Sequence, residues 1–206
     1  MTMTSTSRSD RRSGAETRAE ILRVALKLFT EKGYEATSTR DLTEALGLTK
    51  SSLYYHFRNK EDIVASLMAG RRRDLDDLVD WVAAQPRTPD LPQRAALRWL
   101  DGTTPDHLRA MRLAHANQPL MRRLAESGKD VRTAFDRVID LLAEDGASAQ
   151  DRILLRMTFD TASAALLAAL GTDADPADVI AAARRASLAL TQATTDRAPH
   201  PSDASA

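Results

Sequence analysis

The chain has 206 residues, 43% hydrophobic and 28% charged, with 29 Lys+Arg against 29 Asp+Glu; this composition supports a real core in one large domain or two small ones and excludes a disordered chain. It contains no cysteine, which excludes disulfides, thiolate metal sites and cysteine nucleophiles and is compatible with a cytoplasmic address. The most apolar run, Ala162 to Leu170, covers about nine residues where a membrane-crossing helix needs roughly 20, so no membrane partner is expected.

Residues 1–13 are rich in Ser, Thr and Arg and lack the apolar segment of a secretory signal. They read as a flexible tail whose Arg8, Arg11 and Arg12 either reach phosphate or stay solvated. The zero net charge is unevenly spread, since residues 1–60 hold 11 Lys+Arg and 7 Asp+Glu and the remainder is correspondingly acidic. That polarity suits a chain that touches phosphate with one end only.

From Glu16 the apolar residues Ile21, Leu22, Ala25, Leu26, Leu28 and Phe29 follow the spacing of a helix with one buried face, and Gly33 closes it. Ser38 with Asp41 three residues later is a start signal for a second, short helix whose inward residues are Leu42, Ala45 and Leu46. Gly47 ends it, and Thr49 caps a third helix from Lys50 to Phe57. In that helix Leu53 and Phe57 share one face, and Lys50, Ser51, Ser52, Tyr54, Tyr55 and His56 cover most of the rest. Asn59 with Asp62 opens a long fourth helix carrying Ile63, Val64, Leu67, Leu75, Leu78 and Val82, which Pro86 and Pro89 stop. Helices are then expected near 92–101, 105–115, 118–127, 129–145, 150–170 and 176–193, punctuated by Gly102, Pro119, Gly128, Gly146 and residues 171–175. No segment alternates with period two, so the predicted fold is all-α with about nine to ten helices, ending in a disordered tail at 195–206.

Helices 38–46 and 50–57 form a helix-turn-helix pattern, a device that presents the second helix to a major groove about 12 Å wide. Hydroxyls and the helix N-terminus hydrogen-bond phosphate, and Lys50 reaches guanine or phosphate. Such pairs also occur in ordinary helical proteins, and the pattern alone leaves both readings open.

A resemblance adds to it. Thr17-Arg18, Ile21-Leu22, Ala25, Leu28-Phe29, Lys32-Gly33-Tyr34, Thr39-Arg40-Asp41-Leu42, Ala45-Leu46-Gly47-Leu48, the run from Lys50 to Phe57 and Asn59-Lys60-Glu61 closely resemble the DNA-binding domain of TetR-type transcriptional regulators. The likeness covers residues 17 to about 64, less than a third of the chain. It implies a homodimer on a pseudo-palindromic double-stranded operator, with half-sites about 34–36 Å apart. It further implies DNA contacts from Thr39 and Arg40, from Thr49, Ser51 and Ser52 at the start of the third helix, from Lys50 as base reader, and from Tyr54, Tyr55, His56 and Lys60 along phosphates. For Tyr55 and His56 partial burial is the other reading.

Beyond Pro86 the resemblance implies only a divergent unit that binds a small effector and dimerises through its last two helices. The helix at 150–170 is apolar around nearly its whole perimeter, with Ala162, Ser163, Ala164, Ala165, Ala168 and Ala169 allowing close approach. It is either the centre of one bundle or a seam with a second copy, and the resemblance favours the seam. The large or soft residues Trp99, Met111, His115, Phe135, Met157 and Phe159 are candidates to line an effector pocket, or else fill volume. The expected domains are the tail at 1–13, a DNA-binding domain at 14–60, an effector and dimerisation domain at 61–194, and the tail at 195–206.

Enzyme signatures are absent: no Gly-x-Ser-x-Gly, no phosphate loop and no metal-ligand spacing around His107 and His115, so neither catalysis nor a metal or cofactor is expected. The run Arg71-Arg72-Arg73 followed by Asp74, Asp76 and Asp77 reads as a solvated face with local ion pairs. The expectation is a ligand-responsive repressor released from its operator by a small effector. The alternatives are a ligand-independent DNA-binding dimer under a protein partner's control, or a helical interaction module.

Overall fold

Ten α-helices and no strand occur among residues 13–126 and 132–195, which the computed structural model describes. The expected tails before Ser13 and after Thr195, with Arg8, Arg11 and Arg12, and the Gly128 break lie outside the described residues. Contacts divide the chain into two units, the first closing at Val64 and the second opening at Ala65.

The first unit holds α1 (Gly14–Glu31), α2 (Thr39–Leu46), α3 (Lys50–His56) and the start of α4 (Lys60–Ala83). α1 begins two residues before Glu16 because Ser13 and Glu16 form a reciprocal capping box, a local signal that sequence reading assigned to the tail. α2 carries the expected box, with the Ser38 hydroxyl accepting from Asp41 N–H at 3.1 Å and the Asp41 carboxylate accepting from Ser38 N–H at 2.8 Å. Lys32 donates to the same carboxylate at 2.5 Å, and with Ser38 it holds Asp41 well below the usual carboxylate range. Ser38→Ala is expected to cost the first unit about 1 kcal/mol, read as a lower urea midpoint at an unchanged m-value.

Gly47 ends α2 at φ +63, a left-handed conformation that favours glycine and turns the chain directly into Thr49, the N-cap of α3. The core below these helices is Ile21, Ala25, Leu26, Phe29, Leu42, Leu53, Phe57 and Ile63, all nearly inaccessible. One detail of helix phase differs from expectation. Thr43 is buried beside Leu42, with Leu46 half-buried, whereas Ala45 is exposed.

The second unit holds the rest of α4, α5 (Leu91–Asp101), α6 (Pro105–Ala116), α7 (Gln118–Glu126), α8 (Arg132–Leu142), α9 (Ala149–Ala168) and α10 (Pro176–Thr195). Its main core joins Leu75, Leu78 and Val82 of α4, Ala95 and Trp99 of α5, Phe135 and Val138 of α8, and Leu155 and Phe159 of α9. α9 and α10 pack against each other through Ala162 and Ala183, and the Ser187 hydroxyl donates to the Thr158 carbonyl at 3.0 Å.

α9 resolves into two faces. Leu155, Thr158, Phe159, Ala162 and Leu166 are buried, while Ile153, Met157, Ala164 and Leu167 are exposed at i, i+4, i+11 and i+14. α10 exposes Ala182, Ala186, Ala189 and Ala193 at similar helical spacing.

The basic run on α4 is not uniformly solvated. Arg72 pairs with Asp76 at 3.9 Å, but Arg71 is only 13% exposed at its side chain, stacks on Trp99 at 3.2 Å and donates to Thr103 Oγ1 at 3.0 Å. Burial pushes the Arg71 guanidinium down to about 10 and also lowers neighbouring His107, whose Nε2 lies 3.5 Å from Asp74 Oδ2. The long apolar stem of arginine and the flat face of Trp99 explain why one member of the run turns inward.

Candidate nucleic-acid interface

α3 is too short to be stable alone, and its geometry is imposed from three sides. At its start, the Thr49 hydroxyl accepts from Ser52 N–H at 3.2 Å and lies 3.0 Å from the Ser51 hydroxyl. Beneath it, Leu53 and Phe57 are 1% and 3% exposed. At its end, Arg18 of α1 donates from Nη1 to the His56 carbonyl at 2.7 Å and lays its guanidinium 4.0 Å from the Phe57 ring centre. A cation at the carbonyl end of a helix opposes its macrodipole favourably and closes an otherwise unpaired acceptor. Sequence reading gave Arg18 no role, since its partners are 38 residues away and no local pattern reports them.

With that side fixed, the other side of α3 is open. Lys50 and Ser51 are exposed, Ser52 and His56 half-buried, Tyr54 is 48% exposed and Tyr55 85%. Tyr55 meets His56 edge-on at 5.2 Å; Tyr55 lies almost wholly outside and His56 partly within. Lys50 enters no ion pair among the described residues, leaving its charge uncompensated on the exposed surface. At the start of α2, Thr39 is half-buried and Arg40 exposed, with its guanidinium 2.7 Å from Glu44. That bond, the larger cause, raises the Arg40 pKa and means a base or phosphate contact has to displace an exposed ion pair.

Lys60, expected along phosphates, also has partners within the first unit. Its ammonium donates to the carbonyls of Tyr34 and Thr37, each at 2.8 Å, and sits 4.5 Å from the Tyr34 ring centre. Two of its three N–H groups thus hold the turn between α1 and α2.

The six side chains expected around an effector do not converge on one cavity. Trp99, Phe135 and Phe159 form a buried aromatic line, with ring centres 5.1 and 6.2 Å apart in sequence along it. His115 Nε2 is 2.8 Å from Ser163 Oγ, Met111 packs between two small clusters, and Met157 is 47% exposed. Volume filling accounts for the aromatic residues, which is what an alanine-rich core demands. The second unit has an open groove of about 700 Å³ reached by Trp99 and His107, and a less open cavity of about 460 Å³ between the segments 87–92 and 141–155. No group of three metal-ligating residues occurs among the described residues, and none of their helices is long and apolar enough to cross a membrane.

A short helix held by its flanks, presenting a cation, hydroxyls and phenols outward, beside a separate all-helical unit defines a helix-turn-helix protein. Residues 21–67 match the family described as bacterial regulatory proteins, tetR family. The transcriptional repressor KstR2 of Mycobacterium tuberculosis is 37% identical over 70 residues, 34% of this chain and 32% of that protein. The transcriptional regulator AcrR of Shigella flexneri is 31% identical over 83 residues, 40% of this chain and 39% of its own. The matches span about a third of the length of these curated relatives. Among solved structures, Salmonella enterica GusR aligns with a TM-score of 0.64 at 17% identity, covering 91% of this chain and 97% of its own. A TetR-family regulator from Streptomyces coelicolor aligns at 0.63 with 24% identity, covering 88% and 97%. The fold of both units is therefore that of these regulators, and residues 21–67 carry a domain of the tetR-family type.

Proposed function

We propose that the chain is a ligand-responsive transcriptional repressor that binds a pseudo-palindromic operator as a homodimer and leaves it when a small effector binds the second unit. The observation that carries this reading is the outward face of α3, where Lys50, Ser51, Tyr54 and Tyr55 are exposed over a buried Leu53–Phe57 floor. Hydroxyls at the helix start suit phosphate, and Lys50 suits a guanine edge. The same role is assigned to Thr39, Arg40, Thr49, Ser52 and His56, with Lys60 positioning the α1–α2 turn.

The exposed apolar face of α9 and the alanine stripe of α10 support dimerisation through those two helices. Exposed apolar residues grouped in this way favour an interface over solvent. The 460 Å³ cavity supports a ligand-responsive protein over a ligand-independent one. α4 is the covalent link between the units, and a few ångströms of displacement along it would misplace two reading helices that must fit grooves at one fixed spacing. Coupling of this kind is typically about 1–3 kcal/mol. The work is done in the cytoplasm, where the operator is.

Selection of duplexes from a random library is expected to return an inverted repeat. Lys50→Ala is expected to relax the preference at one position per half-site by about 1–3 kcal/mol. An equal loss on all sequences would make Lys50 a phosphate contact, and recovery of no repeat at all would refute the proposal.

A further inference from the structure

The half-open cavity of about 460 Å³ falls within the roughly 300–1,000 Å³ range of small-molecule sites. Its floor is Leu91 of α5, Leu142 of α8 and Leu155 of α9, exposed by 3%, 8% and 5% and all part of the main core of the second unit. A floor shared with the core is preformed, so a ligand there would not have to order its own site.

The charges around the cavity have one prevailing sign. Its charged side chains are Arg87, Glu144 and Asp151. Glu144 is exposed and enters no ion pair among the described residues. Asp151 Oδ2 accepts from the N–H and hydroxyl of Ser148, at 3.0 and 2.8 Å, and so answers the positive start of α9. Leu141 and Ala143 line the cavity at the carbonyl end of α8, which carries partial negative charge. An anionic ligand would meet Glu144 and that helix end with Arg87 as its one cation. A cationic head would meet complementary charge while its apolar body covers the three leucines.

We infer that this cavity binds a small apolar amine, with the body on Leu91, Leu142 and Leu155 and the ammonium toward Glu144 and the end of α8. The inference names a ligand class for the effector unit and rests on the reading of the second unit given above.

The test is calorimetric titration of the full chain with 4-phenylbutylamine, 4-phenylbutan-1-ol and 4-phenylbutanoate. The amine is expected to bind about tenfold more tightly than the carboxylate, a difference of about 1.4 kcal/mol. Glu144→Gln should shrink that preference severalfold while leaving the alcohol unchanged. Ala147→Trp, which adds bulk to the lining of the cavity, should abolish amine binding while the circular dichroism spectrum is kept. Equal affinity for the three probes, preference for the carboxylate, no binding by any of them, or an unaffected Ala147→Trp variant would overturn the assignment. Operator binding, measured separately in a gel shift, distinguishes the failures. A chain that binds its operator and ignores the amine refutes the cavity assignment alone, whereas a chain that takes the amine and binds no operator refutes the regulatory reading.

Discussion

Phe57→Ala is expected to abolish operator binding by unfolding the first unit. The ring is 3% exposed, closes the underside of α3 and supports the Arg18 guanidinium at 4.0 Å. Removing a buried phenyl group costs about 3–5 kcal/mol, while whole domains are stable by only about 5–15 kcal/mol. A unit of roughly fifty residues sits at the low end of that range, because its surface is large for its core. Thermal unfolding monitored by circular dichroism should show an early, partial loss of helix from the first unit, with the α9–α10 pair melting as before. Phe57→Leu, which keeps most of the apolar volume, should retain folding and most affinity. A folded Phe57→Ala protein with weak binding would mean that the ring touches DNA itself.

Leu167→Glu is expected to separate the dimer and to weaken operator binding by about 10²–10⁴-fold, the range over which linking two sites raises avidity. Leu167 is 44% exposed on the same face of α9 as Ile153 and Met157. On a lone chain a charge at so exposed a position would change stability by only about 0.5 kcal/mol. Buried against a second copy of α9 or α10, the same carboxylate would be desolvated without a partner. Sedimentation should therefore show a monomer with a nearly unchanged melting temperature. A persisting dimer would place the interface elsewhere.

Much of this architecture was legible because its signals are local. The caps at Ser38, Thr49 and Asn59, the left-handed Gly47 and the Leu53–Phe57 pair lie within a few residues of what they organise, so α3 and its outward face follow from the sequence. The Ser13–Glu16 box was equally local and was passed over, since the Ser- and Arg-rich residues before it read as tail. What stayed hidden depends on distant partners. Arg18 reaches the end of α3 across 38 residues, and the Lys60 ammonium meets carbonyls 26 and 23 residues away. Arg71 looks like its two neighbours in sequence, and only the position of Trp99 on another helix turns it inward.

The second unit was the least legible part for a related reason. In a core built of alanine and leucine, large residues such as Trp99, Phe135 and Phe159 attract attention, yet their size is what makes them fill space. The cavity instead lies where two chain breaks meet, between the proline-rich segment before α5 and the turn from α8 to α9. Neither segment contains an aromatic residue to mark it. α9 presents the converse problem: a helix apolar on all sides does not declare which face its own subunit covers, and only packing against α5, α6, α8 and α10 separates the buried Leu155 face from the exposed Ile153 face.

The central claim is that two copies of α3 read one duplex together. The most direct measurement is the mass of the complex formed on a selected inverted repeat, determined by sedimentation equilibrium beside a duplex carrying one half-site. Two chains on the full repeat, with affinity collapsing when the half-sites are moved apart by half a helical turn, is the predicted result. One chain per repeat, or an affinity indifferent to that spacing, would contradict it.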